Sequence, residues 1–139
     1  MTRVRAVSPF VGGAFGGKGG IAQYNRDFLT AASSVFDRVD ILPLGEVFEQ
    51  ESLPTGLVQH RPIGNRLTYS ARAMRFASRR RYDICFCAHP FLAPLAWMAA
   101  RLRHSRLLVQ AHGIDAWNGF SGPRIRALEK ADHFLAVSR

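Results

Sequence analysis

Short apolar runs alternate with segments of helical periodicity along most of the chain. An apolar run of about four to eight residues closed by glycine or proline is typical of a buried strand, whereas apolar residues three and four positions apart predict an amphipathic helix. The predicted strands cover residues 4–11, 39–44, 57–61, 82–88, 107–111 and 134–137. The predicted helices cover residues 21–36, 65–81 and 90–102, and a last one begins near Gly122 with Pro123 in its first turn.

This alternation predicts an α/β domain built on a parallel sheet of about six strands, with helices on both faces. Ligands of such sheets bind outside the carboxyl ends of the strands. Three features follow strands in this way: a glycine-rich loop after the first, His89 after the fourth and His112 after the fifth. We therefore expect them to line one cleft.

The glycine-rich loop covers residues 12–22 and contains six of the twelve glycines. Between a strand and a helix, such a loop offers backbone N–H groups and a favourable helix dipole to an anion, typically phosphate. Lys18 would add positive charge. The candidate phosphate-binding residues are Gly16, Gly17, Lys18, Gly19 and Gly20. A flexible surface loop is the plainer alternative.

Two familiar phosphate loops match this segment only in part. The Walker pattern fits residues 12–18, but Gly19 stands where a magnesium-binding hydroxyl is required. The dinucleotide fingerprint fits from Gly17 to Ala22 with Asp40 downstream as the ribose-binding acid, yet Gly17 lies six positions after Val11 rather than at the strand end. A dinucleotide-dependent oxidoreductase therefore remains an alternative function.

A better match comes from longer segments. The sequence GGKGGIAQYNRDFL at residues 16–29 resembles the first loop and helix of family 4 glycosyltransferases. Two further segments, VQAHGIDAW at residues 109–117 and RALEKADHFLAVS at residues 126–138, also resemble that family. The resemblance implies a Rossmann-like domain that forms one half of a GT-B architecture. It also implies transfer of a sugar, with retained configuration, from a nucleotide diphosphate sugar to a polysaccharide or lipid-linked acceptor.

The resemblance also assigns roles to residues. It implies that His112 is the catalytic-site histidine, in contact with the transferred sugar, while His89, Asp115 and Trp117 contact the sugar or the acceptor. The nucleotide sugar is a co-substrate, and no cofactor or bound metal is implied. A structural histidine at a strand end, and a loop merely anchored by Asp115 and Trp117, are the alternatives for these residues.

The family architecture needs two domains. The resemblance implies that residues 1–139 are the N-terminal, acceptor-side domain and that the C-terminal donor-binding domain is absent from this chain. We expect that domain to be supplied by further chain or by a partner subunit, and the chain alone to be inactive. A non-catalytic Rossmann-like module that binds phosphate or a membrane is the rival interpretation.

The net charge is +9, and seventeen of the nineteen basic residues are arginine, which favours an anionic partner. On the second predicted helix, helical spacing puts Leu67, Ala71, Met74 and Ser78 on one side, assigned to the core. The opposite side, predicted to face an anionic membrane, carries Tyr69, Arg72, Phe76, Arg79 and Arg80. A solvated basic face is the alternative. We expect phosphorylated substrates or lipid, and not nucleic acid, as partners.

Cys85 and Cys87 are too close in sequence for an ordinary disulfide, which favours a reducing compartment. Together with His89 they offer metal-ligand types on one strand, but alternate strand residues lie about 6–7 Å apart, too far for adjacent ligands of tetrahedral zinc. The sequence shows neither a secretion signal nor an apolar segment long enough to span a bilayer. We therefore predict a cytoplasmic protein, peripheral at the inner face of the cell membrane.

Overall fold

The computed structural model describes residues 6–11, 20–44, 53, 55–61, 63–102, 104–112 and 122–137. Strands within these ranges are β1 (Ala6–Val11), β2 (Val39–Pro43), β3 (Leu57–Gln59), β4 (Ile84–Cys87), β5 (Arg106–His112) and β6 (His133–Val137). They pair in parallel, in the order β3-β2-β1-β4-β5-β6. The predicted α/β class with parallel strands is confirmed.

Helices connect these strands: α1 (Gly20–Val35), α2 (Arg66–Arg79), α3 (Ala93–Leu102) and α4 (Pro123–Glu129). The third predicted helix begins instead as a 3-10 turn over Pro90–Leu92, and the α-helical hydrogen bonding starts only at Ala93. The start of α2 is fixed by Asn65, whose side-chain oxygen accepts hydrogen bonds from the backbone N–H groups of Leu67 at 2.9 Å and Thr68 at 3.3 Å. No helix in the described ranges is long and apolar enough to cross a membrane.

The sheet separates two hydrophobic cores. Successive strand residues face opposite sides of a sheet, and in β4 the thiols of Cys85 and Cys87 join one core while Phe86 joins the other. The first core takes side chains of α2, α3 and α4, and the second takes Leu29 of α1. Helices therefore cover both faces. Four buried alanines let α3 approach the sheet closely, namely Ala93, Ala96, Ala99 and Ala100.

The orientation of α2 differs from the one predicted. Tyr69 is only 1% exposed, and its hydroxyl donates a 2.7 Å hydrogen bond to the backbone carbonyl of Leu42. Leu67, which was assigned to the core, is 82% exposed, and Ala71 and Ser78 are exposed as well. The prediction that Tyr69 faces a membrane is therefore wrong.

The physical reason is the size of the aromatic side chains. A buried tyrosine removes about 150–250 Å² of surface from water, far more than the Ala71 or Ser78 side chain could, provided that its hydroxyl finds a partner. Ala73 shares the buried face with Tyr69, and Phe76 packs partly against the same core. The helix is therefore rotated to place its aromatic residues, rather than Leu67, toward the sheet.

Candidate functional site

The order of the strands defines one edge of the sheet at which a ligand is expected. The chain adds strands outward from β1 to β2 and β3, and then returns to the other side of β1 with β4. Open α/β sheets bind ligands at such a reversal, outside the carboxyl ends of the two strands. Phe10 of β1 pairs with Cys87 of β4, so the segments that follow these two strands leave the sheet side by side.

The segment after β1 carries the predicted phosphate-binding loop. Gly16, Gly17, Lys18 and Gly19 lie outside the described residues, as do Asp115 and Trp117. The two elements that hold the loop are described: β1 ends at Val11 and α1 begins at Gly20. The loop therefore joins the carboxyl end of a central strand to the first turn of a helix.

His89 follows β4 at the same edge and is partly buried. Its ring nitrogen Nδ1 accepts a 3.1 Å hydrogen bond from the backbone N–H of Phe91, and its carbonyl oxygen accepts one from Leu92 at 3.0 Å. Since Nδ1 is an acceptor, the neutral ring carries its proton on Nε2. The contacts hold His89 against the 3-10 turn over Pro90–Leu92 that begins the connection to α3.

His112 is the last residue of β5 and pairs with Val137 of β6. This backbone position puts it at the carboxyl edge, on the strand adjacent to β4. Its side chain lies outside the described part of the structure.

The arginines toward the end of α2 lie away from this edge, because the helix ends at Arg79 just before β4 begins. Beside α2, a groove of about 780 Å³, here called the arginine groove, is lined in part by Arg72, Arg75, Phe76, Arg79, Arg80 and His60. The predicted membrane-facing residues other than Tyr69 thus line a concave surface. Phe76 is partly buried there, and its ring packs edge-on against that of His60 at a centroid distance of 4.5 Å.

A polar cluster that the sequence did not predict lies behind this groove. Asp40 is the second residue of β2 and is 2% exposed. Its carboxylate accepts hydrogen bonds from Arg38 Nη2 at 3.0 Å and Tyr82 Oη at 3.1 Å, and lies 2.9 Å from His60 Nε2. Arg80 Nη1 approaches to 3.9 Å.

The cluster keeps the buried carboxyl ionised. Burial raises the pKa of Asp40, but the hydrogen bonds from His60, Arg38 and Tyr82, together with the charge of Arg38, outweigh it and lower the pKa from 3.8 to about 2. The signal in the sequence was an aspartate inside the apolar run VDILPL, because a buried charge requires partners. The partners themselves, 2 to 42 positions away, could not be identified from local pattern.

Asp40 cannot serve as the ribose-binding acid of a dinucleotide site. It lies at the beginning of β2, paired with Val7 near the beginning of β1, and so toward the amino edge rather than the ligand edge. Its oxygens are also occupied by the cluster. The oxidoreductase alternative therefore loses the acidic residue on which it depended.

Cys85 and Cys87 are free and buried. Burial raises the pKa of both thiols, that of Cys87 to about 12, and the Cys87 thiol donates a hydrogen bond to the His89 carbonyl. Protonated thiols of this kind are unsuited to nucleophilic attack or metal ligation. Within the described ranges, no group of three or more His, Cys, Asp or Glu side chains could hold a metal ion.

The parallel strand order, with its reversal between β1 and β4, is that of a Rossmann-like domain. A sequence profile of Glycosyltransferase Family 4 matches residues 18–139, and the chain belongs to that family. No curated protein and no solved structure gives a significant match. The chain is therefore a glycosyltransferase domain.

Proposed function

We propose that this chain is the N-terminal, acceptor-side half of a retaining GT-B glycosyltransferase. The observation that carries the proposal is the family match over residues 18–139, together with a strand order that brings the β1–α1 connection and His89 to one edge. The donor is a nucleotide diphosphate sugar, and the acceptor is a polysaccharide or a lipid-linked glycan. A second α/β domain supplies most donor contacts.

The reaction exchanges one bond to the anomeric carbon for another. The bond from that carbon to the diphosphate oxygen breaks, a bond to an acceptor hydroxyl oxygen forms on the same face, and the hydroxyl proton is released. The glycine loop with Lys18 would stabilise phosphate charge through its backbone N–H groups. His112 would contact the sugar where charge develops, while His89, Asp115 and Trp117 would orient the sugar or the acceptor.

The enzyme is proposed to work at the cytoplasmic face of an anionic membrane. Support comes from the excess of arginine and from the cationic side of α2, where Arg79 and Arg80 are exposed. Each cationic side chain near an anionic lipid surface contributes about 1 kcal/mol to association. This location would bring the enzyme to a lipid-linked acceptor.

Substitution of His112 by alanine in the complete enzyme tests the proposal. Turnover should fall by roughly 10²-fold or more, because a polar group aimed at developing charge contributes about 2.7–4 kcal/mol to lowering the barrier. His133→Ala is the matched control, since His133 is exposed and begins β6 at the opposite edge of the sheet. Its turnover should stay at the parent value.

Turnover per folded molecule and the melting temperature are measured on the same preparations. A His112→Ala enzyme that melts several degrees lower but keeps normal turnover would assign His112 a structural role at the end of β5. The proposed site would then lack a residue that contacts the sugar at the reacting carbon.

A further inference from the structure

The arginine groove has an unbalanced charge. Helix α2 contains Arg66, Arg72, Arg75 and Arg79 but neither aspartate nor glutamate, and Arg80 follows directly. A helix face that is merely exposed to solvent usually carries both acidic and basic residues, because like charges three or four positions apart destabilise the helix. None of the described residues that line the groove is acidic.

Two of these arginines lack an acidic partner. Arg75 and Arg79 are exposed, and within the described part of the chain neither makes an ion pair or a side-chain hydrogen bond. Arg80 is only weakly engaged, 3.9 Å from the Asp40 carboxylate. Within the described residues, positive charge is thus concentrated on one concave surface and is offset only by the buried carboxylate of Asp40 behind it.

The wall of the groove is held in place by contacts from behind. The guanidinium of Arg72 lies 5.7 Å from the centre of the Phe76 ring and donates a 3.1 Å hydrogen bond to the backbone carbonyl of Arg61. Phe76 packs against His60, which is fixed in turn by the buried Asp40. Ordering these side chains before a ligand arrives reduces the entropy lost on binding.

We propose that the arginine groove is a binding site for a ligand that carries two or more phosphate charges. Arg72, Arg75 and Arg79 are spaced three and four positions apart, so they form one stripe about 10 Å long on the helix. Guanidinium groups bind phosphate oxygens through paired N–H donors, and several of them along a stripe suit more than one phosphate charge. The groove volume of about 780 Å³ accommodates a diphosphate group with an attached organic portion.

This site is distinct from the proposed sugar-transfer site. The groove extends along α2 from Thr68 in its first turn to Arg79 and Arg80 at its end. None of its described lining residues is one of the proposed sugar-transfer residues, of which His89 and His112 follow or end β4 and β5. The phosphate charges could belong to a soluble diphosphate or to the headgroups of anionic lipids. Because the inference concerns binding alone, it stands or falls independently of sugar transfer.

The test compares two double variants of equal charge. Arg75→Gln with Arg79→Gln removes two groove cations, and Arg106→Gln with Arg126→Gln removes two exposed arginines elsewhere. Inorganic pyrophosphate is titrated into each protein by calorimetry at about 0.1 M salt, where charges more than about 10 Å apart are largely screened. Sedimentation with phosphatidylglycerol vesicles, and with phosphatidylcholine vesicles as a neutral control, forms the second arm.

The groove variant should lose at least about tenfold in affinity in one arm or both, while the control variant keeps the affinity of the parent. If the groove variant loses affinity for pyrophosphate, a soluble diphosphate is sufficient as the ligand. If it loses affinity only for phosphatidylglycerol vesicles, the ligand is the lipid headgroups. Circular dichroism melts verify that both variants are folded. Equal losses in the two variants, or no binding by the parent in either arm, would overturn the proposal.

Discussion

Asp40 connects three parts of the molecule through one side chain. Its carboxylate links β2 to His60, which follows β3, and to Tyr82, which precedes β4. Burying a carboxylate costs free energy unless the group forms an ion pair and accepts hydrogen bonds. Asp40 does both, with Arg38 and with Tyr82. The amino edge of the sheet therefore depends on ionisation of this residue.

Replacing Asp40 by asparagine should lower the free energy of unfolding by about 1–3 kcal/mol at pH 7. This loss is smaller than the one usual for breaking a buried ion pair, because Arg38 is 40% exposed and can be hydrated when its partner is lost. Since folding lowers the pKa of Asp40 from 3.8 to about 2, its contribution is complete above about pH 5 and declines as the pH falls through 4 toward 2. The difference between parent and variant should shrink over that same interval.

Urea unfolding of parent and variant between pH 7 and 3.5 measures this effect. Asp27→Asn is the matched control, because Asp27 is exposed and its carboxylate accepts a hydrogen bond from Gln23 one turn away. That substitution should change the unfolding free energy by less than about 0.5 kcal/mol. A pH-independent difference for Asp40→Asn would show that ionisation of the cluster is not what stabilises the fold.

At the scale of elements, the ends of several helices and strands were predictable from the sequence, whereas the face that α2 buries was not. The ends of β2, β5 and α1 were predicted to within one residue, because proline, glycine and the change of apolar period mark them locally. The face that α2 buries depends on hydrogen-bond acceptors and apolar surface in the sheet. The acceptor for the Tyr69 hydroxyl is the backbone carbonyl of Leu42, 27 positions away in the sequence. Helical spacing alone gave two opposite apolar stripes and could not choose between them.

The observed orientation of α2 predicts which of its residues stabilise the fold. Tyr69→Ala should cost about 3–5 kcal/mol of unfolding free energy, since it leaves a cavity in the core beside Leu42. Tyr69→Phe should cost about 1 kcal/mol, because the Leu42 carbonyl loses its donor.

Leu67→Ala is the control on the opposite face and should change the unfolding free energy by less than about 0.5 kcal/mol. Chemical denaturation of the three variants gives these values directly. A large loss for Leu67→Ala with little loss for Tyr69→Ala would mean that α2 is rotated the other way, with the tyrosine outward.

At the scale of the whole molecule, the parallel order of the strands brings residues that are far apart in the sequence to the same edge of the sheet. The sequence predicted that the glycine loop, His89 and His112 follow strands, and parallel pairing is sufficient to bring such residues to the same side. The arginine groove could not be predicted in this way. It is formed by α2 and by residues after β3, and its position depends on how the helix packs on the edge of the sheet.

The family architecture leads to a prediction about the chain by itself. The purified 139-residue chain, incubated with a panel of nucleoside diphosphate sugars and a glycan acceptor, should release no nucleoside diphosphate above background. The reason is that the proposed second domain supplies most donor contacts, and closure of two domains is what assembles such a site and excludes water. The chain carrying His112→Ala is measured beside it, so that a contaminating transferase, which would be present equally in both, is recognised. Turnover that appears with the parent chain and disappears with His112→Ala would show that this domain binds donor and acceptor without help, and the two-domain proposal would be wrong even though the assignment of His112 would be supported.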